Sequence, residues 1–198
     1  MIPNKLLDGY KYFIKNKFKK EQIKYKNLAL HGQKPECMII SCCDSRVSPE
    51  VIFNVNPGEM FVIRNVANIV PPYDKDHKTS YHGTSAAIEF AVNVLNIKHI
   101  IVLGHASCGG IASLLNDRQS NHETELIDTW MSQIKNIVKN IPFISQDYIK
   151  ELEISVIKYS MKNLLSFPYI LRKVNNKELT IHGAYFRIYD GLLLNIYD

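Results

Sequence analysis

The sequence predicts an α/β fold, a central and mostly parallel β-sheet flanked by helices, with an N-terminal helical arm and a C-terminal β-hairpin or edge strand. Three observations predict it. First, "CMIISC" (Cys37 to Cys42), "MFVIR" (Met60 to Arg64) and "HIIVLG" (His99 to Gly104) are short apolar runs of strand length. Their continuous rather than alternating character suits strands buried on both faces, as in a parallel sheet. Second, "GTSAAIEFAVNVLNI" between the last two runs is apolar on most sides, and reads as a helix packed deep against that sheet. Third, Leu192, Leu194 and Ile196 alternate after Asp190 and Gly191, the period of a strand leaving a tight turn.

The remaining elements follow in chain order. Lys5, Lys11, Lys15, Lys17, Lys19, Lys20, Lys24 and Lys26 crowd the start of the chain, opposed there only by Asp8 and Glu21. Leu7, Tyr10, Ile14 and Phe18 recur among them at helical spacing, which predicts an amphipathic helix with a solvated basic face. Binding of nucleic acid or an anionic membrane is the alternative use of such a segment. Ile127, Trp130, Ile134 and Val138 give one later helical period; Ile149, Leu152, Val156 and Tyr159 give another, each with one buried stripe. Ser166 followed by Pro168 predicts a further helix start, capped by the serine. "PPYDKDHKTSYHG" reads as an exposed loop.

At 198 residues, 46% of them hydrophobic and 22% charged, the chain has enough apolar material for one large core and too little charge for disorder. One domain is expected over 1–198, an arm over 1–32 and a core over 33–198. No stretch approaches the roughly 18 apolar residues of a membrane span, and the start lacks the apolar block of a signal peptide. A soluble, cytoplasmic protein without membrane contact is expected. In a reducing compartment the four cysteines read as metal ligands or core thiols rather than disulfides.

Two stretches carry the chemistry. "ISCCDSRV" (Ile40 to Val47) ends one buried strand, and "VLGHASCGG" (Val102 to Gly110) ends another and opens a glycine-rich turn. Parallel sheets place ligands at the carboxyl ends of their strands. If the two strands are neighbours, Cys42, His105 and Cys108 converge, and a sulfur, nitrogen, sulfur set suits zinc. Three protein ligands leave a fourth position open, as in a catalytic site. Strand alternation puts Cys42, Asp44 and Arg46 on one side and Cys43 on the other, so Cys43 is not expected to be a ligand. Asp44 is near enough to fill the open position or to accept a hydrogen bond from water there.

With these motifs in hand, the sequence resembles the β-class carbonic anhydrases. The likeness rests on "CCDSRV", "NPGEMFVIRNVANIVPPY", "GTSAAIEFAVNVLNIKHIIVLGHASCGG" and "HGAYFRIYDGLLLNIYD", and spans roughly Gln33 to Asp198. It implies reversible hydration of carbon dioxide to bicarbonate by a zinc-bound hydroxide, one zinc per subunit, in a homodimer or dimer of dimers. By resemblance Cys42, His105 and Cys108 hold the zinc, and Asp44 with Arg46 forms the catalytic pair. A carboxylate kept ionised by Arg46 is an acceptor only, so it can orient the nucleophile.

The resemblance also implies a place in the family's plant-like group. Gln33, nine residues before Cys42, is the expected donor to a substrate oxygen, and Ile39 stands where the bicarbonate-regulated group has Trp. An open zinc rather than one ligated by Asp44 is therefore expected. Phe61, Val66 and Phe90 are expected around the substrate, with Phe90 from a partner subunit; many plant-like members have Tyr at that last position. Gly109 is expected to bring its amide near the site, the alternative being a simple turn glycine. His77, Tyr81 and His82 are candidate proton carriers only by their place in a loop. Two other functions fit the same residues: a related hydrolase acting on carbon disulfide or a similar small heterocumulene, and a non-catalytic zinc-stabilised protein binding nucleic acid through its basic arm. In the leading reading the arm wraps a partner subunit and no nucleic acid is bound.

Overall fold

The structure is a computed structural model that describes residues 1–76, 82–115, 124–140 and 147–197. Five strands form one sheet in the order β2-β1-β3-β4-β5: β1 (Cys37–Cys42), β2 (Met60–Asn65), β3 (His99–His105), β4 (Thr180–Phe186) and β5 (Leu193–Ile196). The first four are parallel, and β5 returns antiparallel to β4. The three apolar runs are β1, β2 and β3, and the alternating C-terminal segment is the second strand of a hairpin, as its period predicts. Its first strand, β4, begins with exposed Thr180 and His182, which hides it from a search for continuous apolar runs. β1 lies between β2 and β3, and five of its six residues are buried.

One face of the sheet carries most of the core. Met38, Ile40, Ile100 and Val102 meet Ile88, Ala91 and Val92 from the helix after β2, together with Ile157, Met161 and Leu164. These last three belong to α8 (Tyr148–Leu164). Burying each such side chain contributes roughly 1.5–3 kcal/mol, so α8 is firmly held. Its distance from the sheet is set by two glycines. A Cβ on Gly104 of β3 would lie 2.6 Å from Ile157 Cδ1, and one on Gly183 of β4 would lie 2.6 Å from Met161 Sδ. Ile157 and Met161 are one helical turn apart and fill this notch; Glu153 is one turn earlier on the same ridge.

Several helices differ from their predicted form. After β1 comes the short α3 (Pro49–Ile52); the 83–97 segment is α-helical over α4 (His82–Glu89) and then widens into a π-helical turn, Phe90–Val94. The Ile127 to Val138 stripe is broken into α6 (Glu125–Met131), a 3-10 turn and α7 (Lys135–Asn140). In α8 the buried face is wider than one stripe, while Ile149 is exposed. Ser166 does not cap α9 (Pro168–Asn175), whose N-cap is Phe167. Its hydroxyl instead donates to Asn163 O and accepts from Tyr73 N, closing the end of α8.

The first helical segment is α1 (Asn4–Phe13), a π-helical turn and α2 (Lys19–His31), and none of its residues is buried. Phe13, Phe18 and Tyr25 cluster on one another, and Lys24 pairs with Glu59 at 3.1 Å. Leu6, Tyr10, Tyr12, Ile14, Ile23 and Leu30 of the arm stand exposed within this chain. His77 and Tyr81 lie outside the described residues, and His82 opens α4. Among the described residues no helix is long and apolar enough to cross a membrane.

Candidate metal centre

β1 and β3 are adjacent and parallel, with Ser41 opposite Leu103, so their carboxyl ends bring Cys42 beside Gly104 and His105. Chain direction then reverses sharply. Ala106 N donates to Phe186 O, Ser107 takes a left-handed φ of 58°, and Cys108 becomes the N-cap of α5 (Gly109–Ser113). The ligand atoms of Cys42, His105 and Cys108 lie within 4.8 Å of one another, and all three residues are buried.

The donor set fits a tetrahedral metal. Cys42 Sγ and Cys108 Sγ are 4.0 Å apart. That is far beyond a disulfide bond of about 2.05 Å, yet two zinc–sulfur bonds of about 2.3 Å span it. His105 Nδ1 lies 2.9 Å from Ala106 O, which places the ring proton there and leaves Nε2 with a lone pair. Among the described residues Nε2 is buried without a hydrogen-bond partner, a costly state for a polar atom and the one a metal relieves. Fixing the ring through its other nitrogen is the usual support of a metal-binding imidazole.

Charge in the cluster points the same way. Contact with Cys108 pulls the Cys42 thiol down, while the same contact pushes Cys108 upward. Two thiols so close share one proton; both become thiolates only when a cation joins them.

Asp44 lies at the rim. Its Oδ1 accepts from Arg46 Nε at 2.9 Å and from Arg46 N at 3.0 Å, and its Oδ2 accepts from Arg46 Nη2 at 2.7 Å. Oδ2 is also 4.0 Å from His105 Nε2. These Arg46 hydrogen bonds hold the Asp44 carboxyl well below the usual carboxylate range. Arg46 Nη2 reaches on to Ser107 O at 3.0 Å. The placement of Asp44 does not come from strand alternation, because β1 ends at Cys42. It comes from a turn in which Val47 N donates to Asp44 O and Arg64 Nη2 donates to the same oxygen. Cys43 stands outside the metal group, lining an apolar cavity of about 480 Å³ with Val66, Leu126, Ile127 and Trp130.

Val66 is close to the ligand loop, since a Cβ on Gly110 would meet its Cγ1 at 2.7 Å. Gly109 opens α5 directly after Cys108, and a Cβ there would meet nothing within 4 Å. Gln33, Phe61 and Phe90 are elsewhere. Phe61 sits opposite Met38, four residues before Cys42, hence roughly 13 Å away along the strand. Phe90, 43% exposed, stacks near it with ring centroids 5.9 Å apart. Gln33 is exposed and borders Val94 and Leu95 at the end of the π-helical turn.

Three residues escaped the sequence reading. Arg64 Nε donates to Cys42 O at 2.9 Å, and Glu153 and Tyr185 stand behind Cys108. The available signal for Glu153 was a carboxylate on an apolar ridge, four residues before Ile157.

Comparison with known proteins agrees with this geometry. The family model for carbonic anhydrase matches residues 37–193. Beta carbonic anhydrase 3 of Arabidopsis thaliana is 36% identical over 196 residues, covering 94% of this chain and 74% of its own. The solved β-carbonic anhydrase CcaA superposes with a TM-score of 0.89 at 32% identity, over 98% of this chain and 87% of that one. A structure described among two tetrameric β-carbonic anhydrases of Sordaria macrospora gives 0.85 at 29% identity, over 98% and 96% of the two chains.

Proposed function

This chain belongs to the carbonic anhydrase family, β class, and from that premise we propose that it catalyses the reversible hydration of carbon dioxide to bicarbonate and a proton. Cys42, His105 and Cys108 would hold one zinc ion per subunit. Zinc bound there acts as a Lewis acid that makes water nucleophilic near neutral pH.

The chain's own residues do the rest. Asp44, ionised and an acceptor only, orients the hydrogen of the attacking water so that an oxygen lone pair faces the carbon. Arg46 fixes both the charge and the rotamer of Asp44 through its fork of donors. The observation that carries this reading is the position of Asp44: Arg46 engages both of its oxygens, and Oδ2 is 4.0 Å from the unpartnered His105 Nε2. That arrangement favours Asp44 beside the metal shell rather than in it, as in the plant-like group, and Ile39 in place of Trp agrees.

Gln33, Phe61 and Phe90 act on the metal centre of a second copy, with Gln33 donating to a substrate oxygen and the rings forming an apolar wall for a nonpolar gas. Their distance from Cys42 within one chain supports this, as do the exposed apolar residues of the arm and the tetrameric relatives. Val66 and the Gly109 amide complete the pocket from the metal-holding copy. The chain works as one domain, 1–198, in a homodimer or dimer of dimers, with the arm packed on a partner. Four free thiols suit the cytoplasm, and neither nucleic acid nor membrane is a partner.

Stopped-flow measurement of carbon dioxide hydration tests the proposal. Zinc-loaded protein should turn over carbon dioxide, lose that activity on chelation and regain it with zinc. Turnover of carbon disulfide in its place would assign the scaffold to the other substrate.

A further inference from the structure

A carboxylate that the reaction does not use lies behind the metal centre. Glu153 is 2% exposed. Its Oε1 accepts from Cys108 N at 2.9 Å and its Oε2 accepts from Tyr185 OH at 2.6 Å. Tyr185 is itself buried, on β4. If the only task were to tie α8 to the sheet, apolar side chains would do it at lower cost, since removing a carboxylate from water is expensive.

The return on that cost is the placement of Cys108. The loop leaving β3 has three consecutive residues, each anchored from a different part of the fold: Ala106 N to Phe186 O, Ser107 O to Arg46 Nη2, and Cys108 N to Glu153 Oε1. The middle residue holds a left-handed φ of 58°, which a non-glycine residue keeps only when its surroundings impose it. Glu153 is delivered rigidly, because Ile157 and Met161 on the same ridge are seated in the notch at Gly104 and Gly183. We propose that Glu153, oriented by Tyr185, is a positioning residue that pre-sets Cys108 Sγ for the metal before any metal arrives. This rests on the reading of Cys42, His105 and Cys108 as ligands, and deepens it.

The test uses full-length chain, stripped of metal and retitrated with zinc against a chromophoric chelator and with cobalt(II) under a spectrophotometer. Losing an outer partner of a metal ligand typically costs about 10–100-fold in affinity. Glu153→Ala should weaken zinc binding by at least about 10-fold and alter the thiolate-to-cobalt charge-transfer band. Glu153→Gln, which keeps an acceptor for Cys108 N–H, should restore most of both. Tyr185→Phe keeps the ring and frees one carboxylate oxygen; it should move the cobalt spectrum in the same direction, and it carries the test if Glu153→Ala does not fold. Unchanged affinity and spectrum in Glu153→Ala, or in Tyr185→Phe where that variant stands in, would overturn the proposal even if melting temperature falls, since that is a merely structural role. Zinc affinity that survives Cys108→Ser at the wild-type value would overturn the ligand reading itself, and this proposal with it.

Discussion

Asp44 and Arg46, two residues apart in one turn, form a forked pair in which Nε meets Oδ1 at 2.9 Å and Nη2 meets Oδ2 at 2.7 Å. The same Nη2 binds Ser107 O, so one guanidinium links the carboxylate to the loop that carries Cys108. A lysine supplies charge but cannot make this planar fork. Arg46→Lys is therefore expected to lower kcat/KM for carbon dioxide by about 10–100-fold, a loss of orientation, while zinc content stays at the wild-type value. Steady-state kinetics with metal analysis on the same samples checks this.

Gln33 and Asp44 belong to opposite ends of the sheet, and in the proposed assembly they serve one pocket from two chains. Asp44→Asn and Gln33→Ala should each be impaired alone. Dissociated, mixed and reassociated, they form hybrid dimers with one intact pocket and one doubly defective one. In a symmetric dimer the mixture should recover about one quarter of wild-type activity. No recovery, with hybrids confirmed by mass spectrometry, would place Gln33 in the pocket of its own chain.

Gly104 sits under Ile157, whose Cδ1 and Cγ1 would be 2.6 and 2.7 Å from an added Cβ. Overpacking of this kind costs about 1–3 kcal/mol. Gly104→Ala should lower stability by that amount in urea unfolding of the metal-free chain.

Glu59 ties the loop before β2 to the arm. Hydrogen bonds from Asn56 N and Nδ2, then Lys24, hold its carboxyl down to about 2, against about 4.3 in an unfolded chain. A depressed carboxyl stabilises the fold fully above its unfolded value and loses that contribution as pH falls through the folded one. The Glu59 carboxyl carbon should accordingly titrate in NMR with a midpoint near 2, and Asn56→Ala should raise it.

Much of this architecture was legible in the residues because it depends on local pattern. Continuous apolar runs expose β1, β2 and β3, although β2 lies at the sheet edge and its residues are only half-buried. Adjacency of β1 and β3 then brings Cys42, His105 and Cys108 together. What stayed hidden depends on packing. Strand alternation accounts for the separation of Cys43 from Cys42 but not for Asp44, which a turn rather than a continuing strand aims. Ser166 looks like a cap, but its hydroxyl is taken by the end of α8. The π-helical turn at Phe90 leaves no periodic mark, and Glu153 reveals itself only when the notch at Gly104 and Gly183 fixes where α8 lies. The distance of Gln33 and Phe61 from Cys42 cannot be read from one-dimensional spacing at all.

The most direct measurement is stopped-flow hydration of carbon dioxide by wild type and Asp44→Asn, each at one zinc per chain. Wild type should turn over rapidly, and the variant should fall by about 100-fold, the scale of lost orientation at the reacting atoms, with zinc affinity unchanged. Loss of zinc from Asp44→Asn would put Asp44 in the metal shell, and full activity without its carboxylate would contradict the account outright.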